Sequence, residues 1–218
     1  MSTGRVPGYE NAFGTLRQLV RRDRVQERCE LCAGPVYPDH HHLIELGKRK
    51  LLCTCEACSL LFSGPGKKYK RVPRRVLALP SFQITDAQWE SLMVPINMAF
   101  FFKSTPDERV VAIYPSPAGP TESLLTLETW TDIERANPVL QHMDADVEGL
   151  LVNRVGHARG ASAAEYYILP IDKCYELVGL IRAHWKGLSG GSEVWQEIGT
   201  FFARLKERAT IHHEAANA

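Results

Sequence analysis

Two short cysteine pairs, Cys29-Glu30-Leu31-Cys32 and Cys55-Glu56-Ala57-Cys58, are separated by 22 residues. A Cys-x-x-Cys segment can form a tight knuckle that aims both sulfurs at one point. Two such knuckles joined by a hairpin supply a closed tetrahedral shell of four thiolates. This pattern constrains the fold more than anything else in the chain, because the residues between the pairs must bring the two ends together.

Five of the six cysteines lie between Cys29 and Cys58, and only Cys174 stands apart. Secreted disulfide frameworks spread their cysteines through small, loop-rich chains, whereas clustered Cys-x-x-Cys pairs point to metal binding in a reducing compartment. A structural zinc ion is the expected occupant. A thiolate shell also suits a mononuclear rubredoxin-type iron, and Cys53 complicates the choice. It creates the run Cys53-x-Cys55-x-x-Cys58, so the second pair can be supplied in more than one register, or a fifth thiol can serve an iron–sulfur cluster. The candidate ligands are therefore Cys29, Cys32, Cys55 and Cys58, with Cys53 as a fifth. The run His40-His41-His42 falls between the pairs, and an imidazole can replace a thiolate in a Cys₃His site. Hairpin or strand positions without a ligand role are the favoured reading for these histidines.

With 218 residues and 44% hydrophobic side chains, the chain can bury one sizeable core beside a small module. No run of about 18 apolar residues is present, and the first ten residues lack the pattern of a signal peptide. A cytoplasmic protein without a membrane span is the expectation. Charge divides unevenly: residues 1–75 hold 15 Lys/Arg against 7 Asp/Glu, and residues 76–218 hold 11 against 18. A basic front half can face nucleic acid, an acidic protein, or the acidic half of its own chain.

Phe13, Leu16 and Val20 lie on helical spacing, so residues 11–28 are read as an amphipathic helix leading into a metal module over 29–75. Ser63-Gly64-Pro65-Gly66 closes that module with turn chemistry. Residues 76–218 read as a mixed domain. Thr85 to Gln88 fits a capping box. Residues 96–102 and 109–114 read as paired strands, as do 147–155 and 166–171 around a Gly- and Ala-rich loop, and 127–136 reads as a helix stopped before Pro138. Two helices close the chain. Cys174, Leu177, Val178, Ile181 and Trp185 mark the first, with Asp172 as its expected N-cap and Gly187 as its end; Val194, Ile198, Phe201, Phe202 and Leu205 mark the second. The expected fold is α+β: a small zinc-ribbon or rubredoxin-like module, then a domain of antiparallel strands and two C-terminal helices.

Other candidates are weaker. Residues 67–75 hold six basic side chains in nine, which suits a phosphate backbone, a solvated linker, or an acidic partner. Cys174 falls on the apolar face of its helix and reads as a core thiol. Ser189-Gly190-Gly191-Ser192 lacks the Gly and Lys spacing of a phosphate loop and reads as an interhelical turn. No carboxylate pair and no Ser/His/Asp arrangement can be assembled, so a non-enzymatic protein is expected.

Two resemblances add to this. Cysteine pairs flanking His41-His42-Leu43-Ile44 are similar to the zinc-stabilised His-Asn-His nucleases, in which a histidine activates water at a second metal. No Asn follows at the matching place, no histidine succeeds Cys58, and Leu60-Leu61-Phe62 fills the closing region, so a nuclease or other zinc-dependent nucleic-acid-binding protein is the third choice. The second resemblance rests on the cysteine module joined to Phe100-Phe101-Phe102, to residues 114–119 (Tyr-Pro-Ser-Pro-Ala-Gly), and to the runs 174–180 and 184–191. Over about residues 12–208 the chain resembles a bacterial family encoded beside actinobacterial-type high-affinity nickel–iron hydrogenases. That resemblance implies an accessory protein for hydrogenase maturation or assembly, whose partners are hydrogenase subunits or maturation factors. The alternative it implies is a rubredoxin-like iron carrier of electrons.

Overall fold

The computed structural model describes residues 27–123, 127–158, 160, 163–187 and 189–212. The helix expected over 11–28 lies outside them, apart from its last two residues. The described residues form a mixed α+β structure with two sheets.

The first sheet belongs to the cysteine module. Strand β1 (His41–Glu45) turns through residues 46–49 into β2 (Lys50–Thr54), and β3 (Tyr69–Arg71) pairs with the other edge of β1, all antiparallel. The turn is tight because Arg49 takes a left-handed backbone with φ 51° and its N–H donates to the Leu46 carbonyl at 3.4 Å. Between β2 and β3 stands helix α1 (Glu56–Leu61), where the cysteine spacing predicts a second knuckle.

The second sheet has seven strands. Its members are β4 (Leu77–Ala78), β5 (Met98–Ser104), β6 (Arg109–Ser116), β7 (Gly119–Ser123), β8 (Glu148–Asn153), β9 (Glu165–Pro170) and β10 (Thr210–Ile211). They lie in the order β10-β4-β9-β8-β5-β6-β7, antiparallel except for the parallel β10–β4 pair. Both expected strand pairs form, β5 with β6 and β8 with β9.

Side chains alternate along a strand, so the two faces of this sheet bury different sets. Phe100, Phe102, Val111, Ile113, Leu151 and Leu169 face one core, against the two C-terminal helices; Phe101, Ala112, Leu150 and Ile168 face the other, with Trp89, Trp130 and Ile133. A strand covered on both faces needs no polar alternation, which is why Phe100-Phe101-Phe102 reads as a continuous apolar run. Each buried Phe contributes about 1.5–3 kcal/mol.

The helices follow their sequence signals. Helix α2 (Asp86–Ser91) opens on the Thr85/Gln88 capping box, and α3 (Leu127–Ala136) ends before Pro138. A single turn, α4 (Val155–Ala158), starts the Gly- and Ala-rich segment. Helices α5 (Ile171–His184) and α6 (Gly191–Arg208) bury the predicted stripes from Cys174 to Ile181 and from Val194 to Leu205. One detail departs from expectation. Pro170 occupies the N-cap of α5, and Asp172 lies within the first turn, which frees its carboxylate for a distant partner.

The basic run 67–75 clamps onto the rest of its own chain, although Lys67, Lys68, Arg74 and Arg75 stay exposed. Lys67 donates to the Leu61 carbonyl, Lys68 pairs with Glu45, Lys70 donates to the Ala145 carbonyl, Arg71 pairs with Glu56, Arg74 donates to the Asp39 carbonyl, and Arg75 pairs with Glu148. Ile44 and Val72 enter the same core as α5 and α6. The basic run 67–75 thus meets carboxylates and carbonyls of its own chain. No helix among the described residues is long and apolar enough to cross a membrane.

Candidate metal centre

The first cysteine pair sits on a true knuckle. Cys29 N–H donates to the Gly34 carbonyl at 2.7 Å, Ala33 N–H donates back to the Cys29 carbonyl at 2.8 Å, and Ala33 takes φ 59° to close the turn. Glu30 ties the knuckle to β2: its backbone N–H donates to the Cys53 carbonyl at 2.8 Å, and its carboxylate accepts from the Cys53 N–H at 2.7 Å. The second pair uses a different device. Cys55 is the N-cap of α1 and accepts the Cys58 N–H through its sulfur at 3.5 Å, so the first helical turn folds Cys58 back toward Cys55. Helix geometry does here what a second knuckle was expected to do.

The four ligand atoms of Cys29, Cys32, Cys55 and Cys58 all lie within 4.8 Å of one another, and the sulfurs of Cys32 and Cys55 stand at 3.8 Å. That is the edge of a tetrahedron whose corners are about 2.3 Å from its centre, the usual zinc–sulfur bond length. The four thiols lie close enough to hold one metal ion. Cys29 and Cys58 are buried while Cys32 is exposed, so one edge of the centre reaches the surface.

Electrostatics in the cluster are strained without a cation. Burial pushes the Cys29 thiol up, but backbone N–H groups of Cys55, Cys32 and Leu31 together outweigh it and bring it down to about 6. Cys58 moves the opposite way: burial, then hydrogen bonds with the other three cysteines and the negative charge on Cys29, push it well up. Four sulfurs crowded together resist a second ionisation, and a coordinated cation removes that penalty by deprotonating the thiols outright.

Cys53 does not join the four. It lies directly across the hairpin from His42, and its sulfur groups with the imidazoles of His40 and His42. His41 points to the opposite face, where it contacts Glu56 and Arg71; burial and then the Arg71 and Arg74 charges hold its pKa down. His42 Nδ1 meets the Asp172 carboxylate at 2.7 Å, across 130 residues of sequence. Sequence alone gives Asp172 only the role of a helix cap. A signal for the Cys53–His42 pairing did exist, since folding residues 41–54 into a hairpin about residues 46–49 sets 42 opposite 53. Nothing local announces Asp172. Cys174 is the buried core thiol that was expected, its pKa raised well above the usual value by burial.

Residues 28–209 match the model of a family of unknown function, DUF5947. No curated protein and no solved structure matches the chain.

Proposed function

The chain belongs to the DUF5947 family, and we propose that it is a non-enzymatic, metal-binding accessory protein whose four-cysteine centre holds a structural zinc and shapes a module that docks on a protein partner. The observation that carries this reading is the closed set of four sulfurs beside an exposed apolar corner. Leu60, Leu61 and Phe62, at the end of α1, are 56%, 68% and 45% exposed. They begin two residues after Cys58, so the metal fixes the base of the helix that presents them. Contiguous exposed apolar side chains of this kind mark protein-binding surfaces. The resemblance of the sequence to a family encoded beside nickel–iron hydrogenases points to hydrogenase subunits or their maturation factors as the partner. Lys68, Arg71 and Arg75 of the basic run pair with carboxylates of their own chain, which reduces the charge this run offers to nucleic acid.

Elemental analysis of purified protein, alone and after replacement of each cysteine by serine, tests the centre; full metal content surviving loss of Cys29 and Cys32 would sink it. Co-purification with hydrogenase subunits under gentle extraction tests the partner, and consistent failure counts against it. The exposure of Cys32 favours one second reading, an iron-loaded carrier that exchanges electrons through that edge. A red protein with thiolate-to-iron absorption and a reversible one-electron couple would select it over colourless, redox-silent zinc.

A further inference from the structure

We propose that His40, His42 and Cys53 form a second metal site, separate from the four cysteines, that takes a divalent late first-row transition ion and leaves one coordination position open to the cleft beside it. Strand geometry builds the site. His42 and Cys53 are directly paired across β1 and β2, and His40, just before β1, brings its ring centroid to 4.7 Å from that of His42. The ligand atoms of the three residues lie within 4.8 Å of one another. A tetrahedral ion needs its nitrogen and sulfur donors roughly 3.3–3.8 Å apart, so small side-chain rotations close the shell.

The protonation pattern suits ligation. His40 Nδ1 lies 2.8 Å from the Tyr37 carbonyl, which can only accept, so Nδ1 carries the proton and Nε2 presents a lone pair. That Nε2 is buried with no hydrogen-bond partner, in a side chain only 7% exposed. A buried imidazole nitrogen without a partner costs free energy unless something fills its lone pair. His42 is arranged the same way, its Nδ1 held at 2.7 Å by Asp172 and its Nε2 left over. A histidine oriented by a carboxylate through its other nitrogen is the usual support of a metal-bound imidazole.

Two imidazoles and one thiolate suit zinc, cobalt or nickel better than the oxygen-seeking magnesium or calcium. Three protein ligands leave a fourth position, unlike the closed shell of four cysteines. Both histidines also line a cleft of about 370 Å³ whose walls include Arg74, Asp172, Lys173 and Arg204.

Titration of metal-free, reduced, full-length protein with cobalt(II) tests the site. Two equivalents are expected, the first with intense thiolate-to-cobalt absorption from four sulfurs, the second with much weaker charge transfer from one. Cys53→Ser and His42→Gln should each keep the first equivalent and lose the second, and Asp172→Asn should weaken the second about 10–100-fold without touching the first. Uptake by the unaltered protein of the four-sulfur equivalent alone overturns the proposal, as does a second equivalent that survives both ligand substitutions. Should either substitution unfold the module, the stoichiometry of the unaltered protein and the titration of Asp172→Asn decide. Loss of the first equivalent alone would count against the four-cysteine centre and leave this site standing.

Discussion

Arg75 grips Glu148 with two prongs: its Nε and Nη2 donate to the two carboxylate oxygens at 2.5 and 2.6 Å, and the Glu148 side chain is 0% exposed. The pair joins the end of the basic run to the first residue of β8. The Asp144 N–H adds a third donor to the same carboxylate at 2.9 Å.

Breaking this pair from one side leaves a buried charge uncompensated. Arg75→Met should cost roughly 3 kcal/mol, the low end for a buried pair, because the guanidinium is itself nearly half-exposed. Arg75→Met combined with Glu148→Met should recover much of that loss. Urea denaturation of the three proteins measures both; a double variant no more stable than the single one contradicts the account.

The turn between α5 and α6 makes a second prediction. Gly190 takes φ 88°, and a Cβ there would meet Val194 Cγ1 at 2.8 Å and the Trp185 ring at 3.2 Å. Gly187 takes φ 64° with open space around it. Gly187→Ala should therefore cost about 1 kcal/mol from backbone strain alone, and Gly190→Ala about 2–3 kcal/mol from strain plus overpacking. Thermal unfolding should rank them in that order.

Metal binding at the four cysteines should change its proton inventory near pH 6. The Cys29 pKa in the metal-free fold, about 6, is below the thiol's ordinary value, so its thiolate stabilises the fold at high pH and that contribution is lost as pH falls through 6. Below pH 6 the incoming metal must displace a proton from Cys29; above it, none remains there to displace. The number of protons released per metal should drop by one as pH rises through about 6. Calorimetry in buffers of different ionisation enthalpy reads this directly, and a constant count across that range would refute it.

Leu60 and Leu61 contribute little to the fold because water already covers most of each. Leu60→Ser with Leu61→Ser should shift stability by about 0.5 kcal/mol or less for each position while removing the protein partner in co-purification. Partner binding that persists in the double variant would move the docking surface elsewhere.

Much of this architecture was legible in sequence, for identifiable reasons. The stripes on α5 and α6, the Thr85 capping box and the paired strands are local patterns with a fixed period, and they fold as they read. The four cysteines come together because their spacing leaves a hairpin little alternative. Among the features that escaped, three show why. Helix α1 carries Cys55 and Cys58 on six residues, too few for a periodic signal. The strands β4 and β10 are two residues each and exist only as sheet partners. Asp172 reaches His42 from 130 residues away, a relationship set by the packing of α5 on the module.

Loop tips usually tolerate insertions, but the four residues that join β1 to β2 have no such freedom. Their length sets which residues face each other across the hairpin: His42 against Cys53, His41 against Thr54. One added or missing residue there would slip the pairing and turn the side chains of one strand over. Cys53 would then face away from His40 and His42, with every ligand still present in the sequence. Left-handed Arg49, which sits in that turn and also pairs with Asp107 and Glu122, is thus a ruler for the hairpin. Relatives that keep the cysteines and histidines but change this length would have the ingredients of the second site without the site.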